Sequence, residues 1–189
     1  MQREKQALRA KMRQRLRQMD RQERQRQAMA VAAHLRKTGV WQRAACVLLY
    51  HALPSEVDTS HLIDAAQKAG KAVLLPVCVS ASVMEAARYS ARDALSADMR
   101  GILAPGGPEI VPPARIDCVI VPGLAFTKEG LRMGRGAGYY DRFLARLSPQ
   151  AKRIGVCFDQ QLVTDLPTEA HDARLDAVVC AMGIFGDAR

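Results

Sequence analysis

Aromatic residues are scarce. They make up 5% of the 189 residues, with a single Trp41, too few to build the stacking surface that holds single-stranded nucleic acid. Long apolar runs are missing as well. The longest are short stretches such as A-M-A-V-A-A and A-C-V-L-L-Y, whereas a membrane-spanning helix needs about 20 apolar residues, so neither a spanning helix nor a membrane partner is expected. Acidic residues are nearly absent from the first 37 positions, which hold three Asp or Glu against twelve Lys or Arg. The rest of the chain carries sixteen of each, so the whole formal charge of +9 belongs to one segment. That locates a basic helix on a charge-balanced body, and no nucleic-acid partner is expected from it. The five cysteines form no C-x-x-C, and His34, His51, His61 and His171 have no metal-ligand spacing; a zinc site is excluded on this pattern. Each cysteine sits in an apolar run, which predicts buried, reduced thiols and a reducing compartment. The Arg-rich start has no apolar core of a secretory signal and no Ser before Ser55, so a cytoplasmic location is expected.

What is present is ordinary for a globular chain, with 49% hydrophobic and 25% charged residues. The length predicts a single domain, 1–189, with 1–38 as a basic helical pair packed on the body. Leu8, Met12, Leu16 and Met19 recur at helical spacing within a predicted helix over 3–19. Asp20 with Glu23 reads as a capping arrangement for a second helix, whose apolar side is Ala28, Val31, Ala32 and Leu35 and whose terminator is Gly39. Strands and helices then alternate. Strands are predicted over 45–50, 72–77, 84–89, 118–121, 154–158 and 177–180, and helices over 59–69 and 139–147, the first of these capped by Asp58 and Thr59. The proline- and glycine-rich stretch 101–113 reads as a loop or strand-edge connection. Continuous apolar strands alternating with helices predict an α/β, three-layer domain with a mainly parallel sheet.

Three stretches carry chemistry. Gly134, Gly136 and Gly138 alternate in G-L-R-M-G-R-G-A-G-Y-Y-D-R-F-L, between a strand ending at Pro122 and a helix. Glycines let backbone N–H groups turn inward, and Arg132 and Arg135 add positive charge; the result is an anion cradle suited to phosphates, or else a simple glycine-rich bend. The word is neither a P-loop nor a dinucleotide fingerprint. Asp141 either complements the helix dipole or ligates magnesium. Lys5, Arg9 and Arg13 fall at i, i+4 and i+8, as one cationic row that faces either solvent or a cleft. Tyr139 and Tyr140 are open to plain helix packing. H-A-L-P-S-E-V-D-T follows the first strand, at the end where open α/β sheets bind ligands, and Glu56 there can accept two hydrogen bonds from an amidine-like edge.

These words, with K-x-x-L-R at 5–9, G-K-A-V-L-L-P at 70–76, G-I-L-A-P at 101–105 and I-G-V-C-F-D-Q-Q-L-V-T-D-L-P-T-E-A-H-D at 154–172, resemble the 5-formyltetrahydrofolate cyclo-ligase (5,10-methenyltetrahydrofolate synthetase) family over nearly the whole chain. The resemblance implies an ATP-driven, magnesium-dependent conversion of 5-formyltetrahydrofolate to 5,10-methenyltetrahydrofolate, with release of ADP and phosphate. It implies that ATP is held by Lys5, Arg9, Arg13 and the run Gly134, Arg135, Gly136, Ala137, Gly138, Tyr139, Tyr140, Asp141 and Arg142. It implies that His51 and Glu56 face the folate and that 135–139 lies between both ligands, with Arg135 and Tyr139 catalytic. Asp141 and Asp176 would serve magnesium, and the chain would act as a monomer. Ala104, Thr127 and Val179-Cys180-Ala181 depart from the family pattern. Two other readings stay alive on the residues alone: a nucleic-acid-binding protein, supported by the basic start but opposed by the balanced body and few aromatics, and another phosphate-ligand enzyme on a similar α/β scaffold, such as a phosphosugar isomerase.

Overall fold

The predicted first helix forms as α1 (Gln2–Arg17), ending two residues earlier than expected, and buries its apolar stripe: Met12 and Leu16 are fully enclosed, with Leu8 packed at the edge and Met19 packed just beyond the helix end. A computed structural model describes residues 2–90, 94–98, 103–105, 109–169 and 172–189. After α1 come α2 (Arg21–Arg36), α3 (Gly39–Arg43), β1 (Cys46–Leu48), α4 (Ser60–Lys68), β2 (Ala72–Cys78) and β3 (Met84–Tyr89). Next are β4 (Leu95–Ala97), β5 (Leu103–Pro105), β6 (Ile110–Val111), β7 (Cys118–Val121), β8 (Ala125–Phe126) and β9 (Arg132–Met133). The described chain closes with α5 (Tyr139–Leu144), β10 (Lys152–Val156), β11 (Ala177–Cys180) and β12 (Gly183–Gly186).

Eight of these strands form one sheet in the order β12-β11-β10-β7-β1-β2-β3-β6. Every pairing from β11 through β2 is parallel, while β12 pairs antiparallel with β11, β3 with β2 and β6 with β3. The continuous apolar runs have a plain cause. Side chains alternate between the two faces of a strand, and both faces are covered. Val47, Leu49, Val73, Leu75, Ile120, Ile154 and Val179 pack into one core with Met12, Leu35, Trp41 and Leu62 of the helices. Leu48, Leu74, Val119, Val121 and Val178 pack into the other with Phe126, Phe143 and Leu144. Among the parallel strands charged residues occur only where β10 begins, at Lys152 and Arg153.

Local chemistry differs from the sequence expectation at several ends. Asp20 caps α2 by accepting from the N–H groups of Gln22 and Glu23 at 3.0 and 3.3 Å, but Glu23 turns forward to Arg26 and Gln27 instead of completing a capping box. Gly39 does not stop α2. The helix closes at Lys37, and Thr38 caps a new turn that begins at Gly39. Asp58 caps α4 through Ser60 N, whereas the Thr59 hydroxyl donates to the carbonyl of Tyr50 and pins the loop after β1. Of 101–113, Leu103–Pro105 pairs with β4 and Ile110–Val111 joins the sheet edge; residues 101–102 and 106–108 lie outside the described residues. Four cysteines are buried, and Cys46 is half-buried.

Strand order also positions a crevice. From β1 the chain passes to β2 on one side and only later to β7 on the other. The loops leaving the C-terminal ends of β1 and β7 therefore diverge, and ligands bind in open α/β sheets where strand order reverses in this way.

Candidate active site

The crevice holds two chambers that share a wall. The first, of about 370 Å³, is lined by Tyr50, His51, Leu53 and Glu56 after β1, by Pro76, Cys78 and Met84, and by Pro122, Gly123, Arg135, Tyr139 and Tyr140. Its lining is predominantly apolar. The second, of about 500 Å³, lies between α1 and the glycine-rich loop and is lined mainly by polar groups: Gln2, Lys5, Gln6 and Arg9, then Gly136, Asp141 and Arg142, and Glu169 with Asp172. Arg132, Gly134, Ala137 and Gly138 line both.

The loop forming that wall needs its glycines. Gly136 and Gly138 have φ of +114° and +69°, a region that side chains rarely adopt. A Cβ at Gly138 would lie 2.6 Å from the Arg142 guanidinium. Three arginines hold the carbonyls of this loop: Arg9 donates to Gly134 O at 3.1 Å, Arg13 to Arg135 O at 3.3 Å and Arg142 to Ala137 O at 2.7 Å. The cationic row of α1 thus faces the body at Lys5 and Arg9, and the solvated-face reading falls away for these two, while Arg13 stays exposed and reaches the loop with one hydrogen bond. Lys5 is only 7% exposed, with Asp172 and Glu169 at 2.8 and 2.9 Å. Burial pulls its pKa down, but the two carboxylates outweigh burial and leave it raised.

Arg132 is the central cation of the wall. It is only 7% exposed. Its Nε donates to Pro122 O at 2.9 Å, Nη1 donates to Asp141 Oδ1 at 2.7 Å, and the group lies 5.6 Å from the centre of the Tyr140 ring. Sequence reasoning noted its charge but did not place it among the site residues.

The structure sorts the expected residues between chambers. Lys5, Arg9, Gly136, Asp141 and Arg142 face the polar one. His51, Glu56, Arg135, Tyr139 and Tyr140 face the apolar one, so Tyr140 lies away from the side that the resemblance implied. Arg13 lines neither and acts on the loop backbone. Glu56 is engaged: Arg135 Nε donates to its Oε1 at 2.9 Å, and Leu53 N donates to Oε2 at 3.0 Å. The Tyr139 hydroxyl donates to Ser80 O in the β2–β3 turn at 2.9 Å. Burial lowers the His51 pKa against the opposing charge of Asp58. Burial first, then the Glu56 charge, raises that of Tyr140.

Asp176 is the exception. It precedes β11, at the N-terminal end of the parallel strands, where its carboxylate accepts from Arg153 N at 2.7 Å. The crevice lies at the opposite, C-terminal end, a full strand away, so the structure does not bring Asp176 to the other site residues. The carboxylates that do join Asp141 in the polar chamber are Glu169 and Asp172, missed although both stand in the quoted word T-E-A-H-D. Among the described residues no three His, Cys, Asp or Glu side chains cluster closely enough to hold a metal alone. The donor set still suits magnesium, which takes one or two carboxylates and completes its shell with phosphate oxygens and water. Ala104, Thr127 and Val179-Cys180-Ala181 line neither chamber. Among the described residues no helix is long and apolar enough to cross a membrane.

The comparisons with known proteins agree with one another. The sequence model of the 5-formyltetrahydrofolate cyclo-ligase family matches residues 1–181. A probable 5-formyltetrahydrofolate cyclo-ligase of Schizosaccharomyces pombe is 31% identical over 169 residues, covering 81% of this chain and 83% of the relative. The 5-formyltetrahydrofolate cyclo-ligase of Mus musculus is 27% identical, covering 93% and 92%. The solved structure of a 5,10-methenyltetrahydrofolate synthetase from Aquifex aeolicus superposes with a TM-score of 0.86 at 30% identity, covering 98% of this chain and 94% of that one. On the match over 181 of its residues, the chain belongs to the 5-formyltetrahydrofolate cyclo-ligase family.

Proposed function

We propose that this enzyme converts 5-formyltetrahydrofolate to 5,10-methenyltetrahydrofolate at the expense of ATP, releasing ADP and phosphate. The observation that carries the reading is the shared wall: a polar chamber rich in cations meets an apolar chamber across Arg132, Gly134, Ala137 and Gly138. A triphosphate suits the first and a flat heterocycle the second, and phosphoryl transfer between them asks a protein chiefly for alignment and charge stabilisation.

Lys5 and Arg9, with the glycine-rich loop, hold the phosphates. Both are pre-positioned by partners on the body, so phosphate oxygens exchange with existing contacts instead of ordering free side chains. His51 and Glu56, with Tyr139, bound the folate. The formyl oxygen attacks the terminal phosphorus across the wall and ADP leaves. The neighbouring nitrogen then attacks the activated carbon and gives up its proton, the carbon–oxygen bond breaks, and phosphate departs with that oxygen and takes up the proton. Arg132, buried and anchored on Pro122 and Asp141, stabilises charge on the group in transit, while Arg135 bridges toward the folate through Glu56. Magnesium, held by Asp141 and Asp172, would supply further neutralisation of phosphate charge.

The test is an absorbance assay for methenyl product from 5-formyltetrahydrofolate with and without ATP and magnesium. Product that forms only with ATP is expected. Binding of 5-formyltetrahydrofolate without ATP-dependent turnover would defeat the reading.

A further inference from the structure

Buried polar atoms nearly always have partners, because a donor or acceptor removed from water loses its hydration with nothing in return. Among the described residues two side-chain atoms break this rule, His51 Nε2 and Tyr140 Oη. Both belong to residues that line the apolar chamber. They arrive there independently, His51 from the loop after β1 and Tyr140 from the first turn of α5.

The rest of Tyr140 is accounted for. Its ring lies under the Arg132 guanidinium and packs beside the core that holds Phe143 and Leu144. A phenylalanine would keep each of these contacts, so nothing in the protein itself calls for the hydroxyl. The next residue, Asp141, faces the other chamber and pairs with Arg132. Successive residues in one helical turn point about 100° apart, and this turn gives one side chain to each chamber. A phenol carries one O–H donor, and its ordinary pKa near 10 keeps it protonated at neutral pH. The folate's formyl and ring carbonyl oxygens are acceptors of matching chemistry.

We propose that Tyr140 is a recognition residue for the reduced-folate substrate, its hydroxyl donating a hydrogen bond to a carbonyl-type oxygen of the formyl-bearing ring system. The assignment rests on the reading of the apolar chamber as the folate site. It moves Tyr140 out of the ATP machinery, and it makes the hydroxyl a feature that costs stability in the free protein and returns affinity in the complex.

The test compares wild type with Tyr140→Phe in three measurements: melting temperature without ligand, affinity for 5-formyltetrahydrofolate, and affinity for ATP–magnesium. Removing an unpartnered buried hydroxyl should raise the melting temperature by about 2–4 °C. It should weaken 5-formyltetrahydrofolate binding about 5- to 20-fold and leave ATP affinity unchanged. Equal folate affinity in the two proteins overturns the assignment, as does weakened ATP binding with folate binding intact. A lowered melting temperature overturns its premise, since the hydroxyl would then have a partner within the protein. Wild type that binds no 5-formyltetrahydrofolate overturns the functional reading and this assignment together; wild type that binds it no better than Tyr140→Phe overturns this assignment alone.

Discussion

The apolar chamber is built by the sheet. Its lining comes from the loops that leave β1 and β7, the ends of β2 and β3, the glycine-rich loop after β9 and the first turn of α5, and no residue of α1 belongs to it. The polar chamber needs α1 as well, and α1 reaches it across the length of the chain: Arg9 meets Gly134 over 125 positions, and Lys5 meets Asp172 over 167. The two also treat polar groups differently. In the polar chamber Lys5, Arg9, Asp141 and Arg142 each have a partner already. In the apolar chamber His51 Nε2 and Tyr140 Oη have none. A site for a highly charged ligand can hold its cations in place with exchangeable partners, because isolated buried charges cost too much. A site for a largely apolar ligand can tolerate a few neutral orphans, each of modest cost.

The sharpest way to break the comparison is to remove α1. Deletion of residues 1–19 should abolish ATP binding, read as loss of the stabilisation that saturating ATP–magnesium is expected to give wild type, about 2.7 kcal/mol at 100 times the dissociation constant. The deletion also exposes the core against which Met12 and Leu16 pack, so Lys5→Met with Arg9→Met is the companion variant. It keeps the apolar stripe and should still lose that stabilisation. A truncated protein turning over folate at full rate would contradict the division of labour.

The shared wall comes next. Arg132→Met keeps length and apolar contact but leaves Asp141 without its 2.7 Å partner. Turnover should fall about 100- to 1,000-fold, as for loss of a charge-stabilising donor, while the folate dissociation constant changes little. Near-normal turnover would move the stabilising cation elsewhere.

Glu56→Gln sharpens the contrast from the apolar side. It should weaken 5-formyltetrahydrofolate binding by about 2–4 kcal/mol, through loss of charge-assisted hydrogen bonds. Arg135 loses its charged partner in this variant, yet its side chain lines only the apolar chamber, so ATP affinity in the absence of folate should hold. A fall in ATP affinity with folate binding intact would assign Glu56 to the other ligand.

The smallest effect is a pH dependence. Burial holds the His51 pKa below its ordinary 6.5, so near and just below that pH the unfolded chain binds more protons than the native one. Stability from this residue is complete above about pH 6.5 and declines as the pH falls through the lowered native value. Denaturant unfolding at pH 7.5 and 5.5 should show wild type losing more stability than His51→Gln. Identical losses would mean that His51 keeps its ordinary pKa in the fold.

Much of the architecture was readable along the chain, for a local reason. Strands buried on both faces are apolar along their buried length, and β1, β2, β7, β11 and the 154–156 end of β10 announce themselves this way. The stripe of α1, the Asp20 cap and the glycines at 136 and 138 are likewise properties of a few neighbouring residues. The short pairings β4–β5 and β8–β9, and the edge strands β6 and β12, have too few residues to show a period, and only their partners define them. The site divides along the same line. Gly134 to Gly138 could be singled out because backbone conformation limits the residue types allowed there. Local pattern says that Lys5 and Arg9 share a helix face, that Arg132 is charged and that Asp172 and Asp176 are both acids. Which end of the sheet each acid occupies, and which chamber each cation or tyrosine faces, follows from strand order and from helix packing across more than a hundred residues. Asp172 and Asp176 are four positions apart in the chain, and the direction of the strand entering at Ala177 is what separates them.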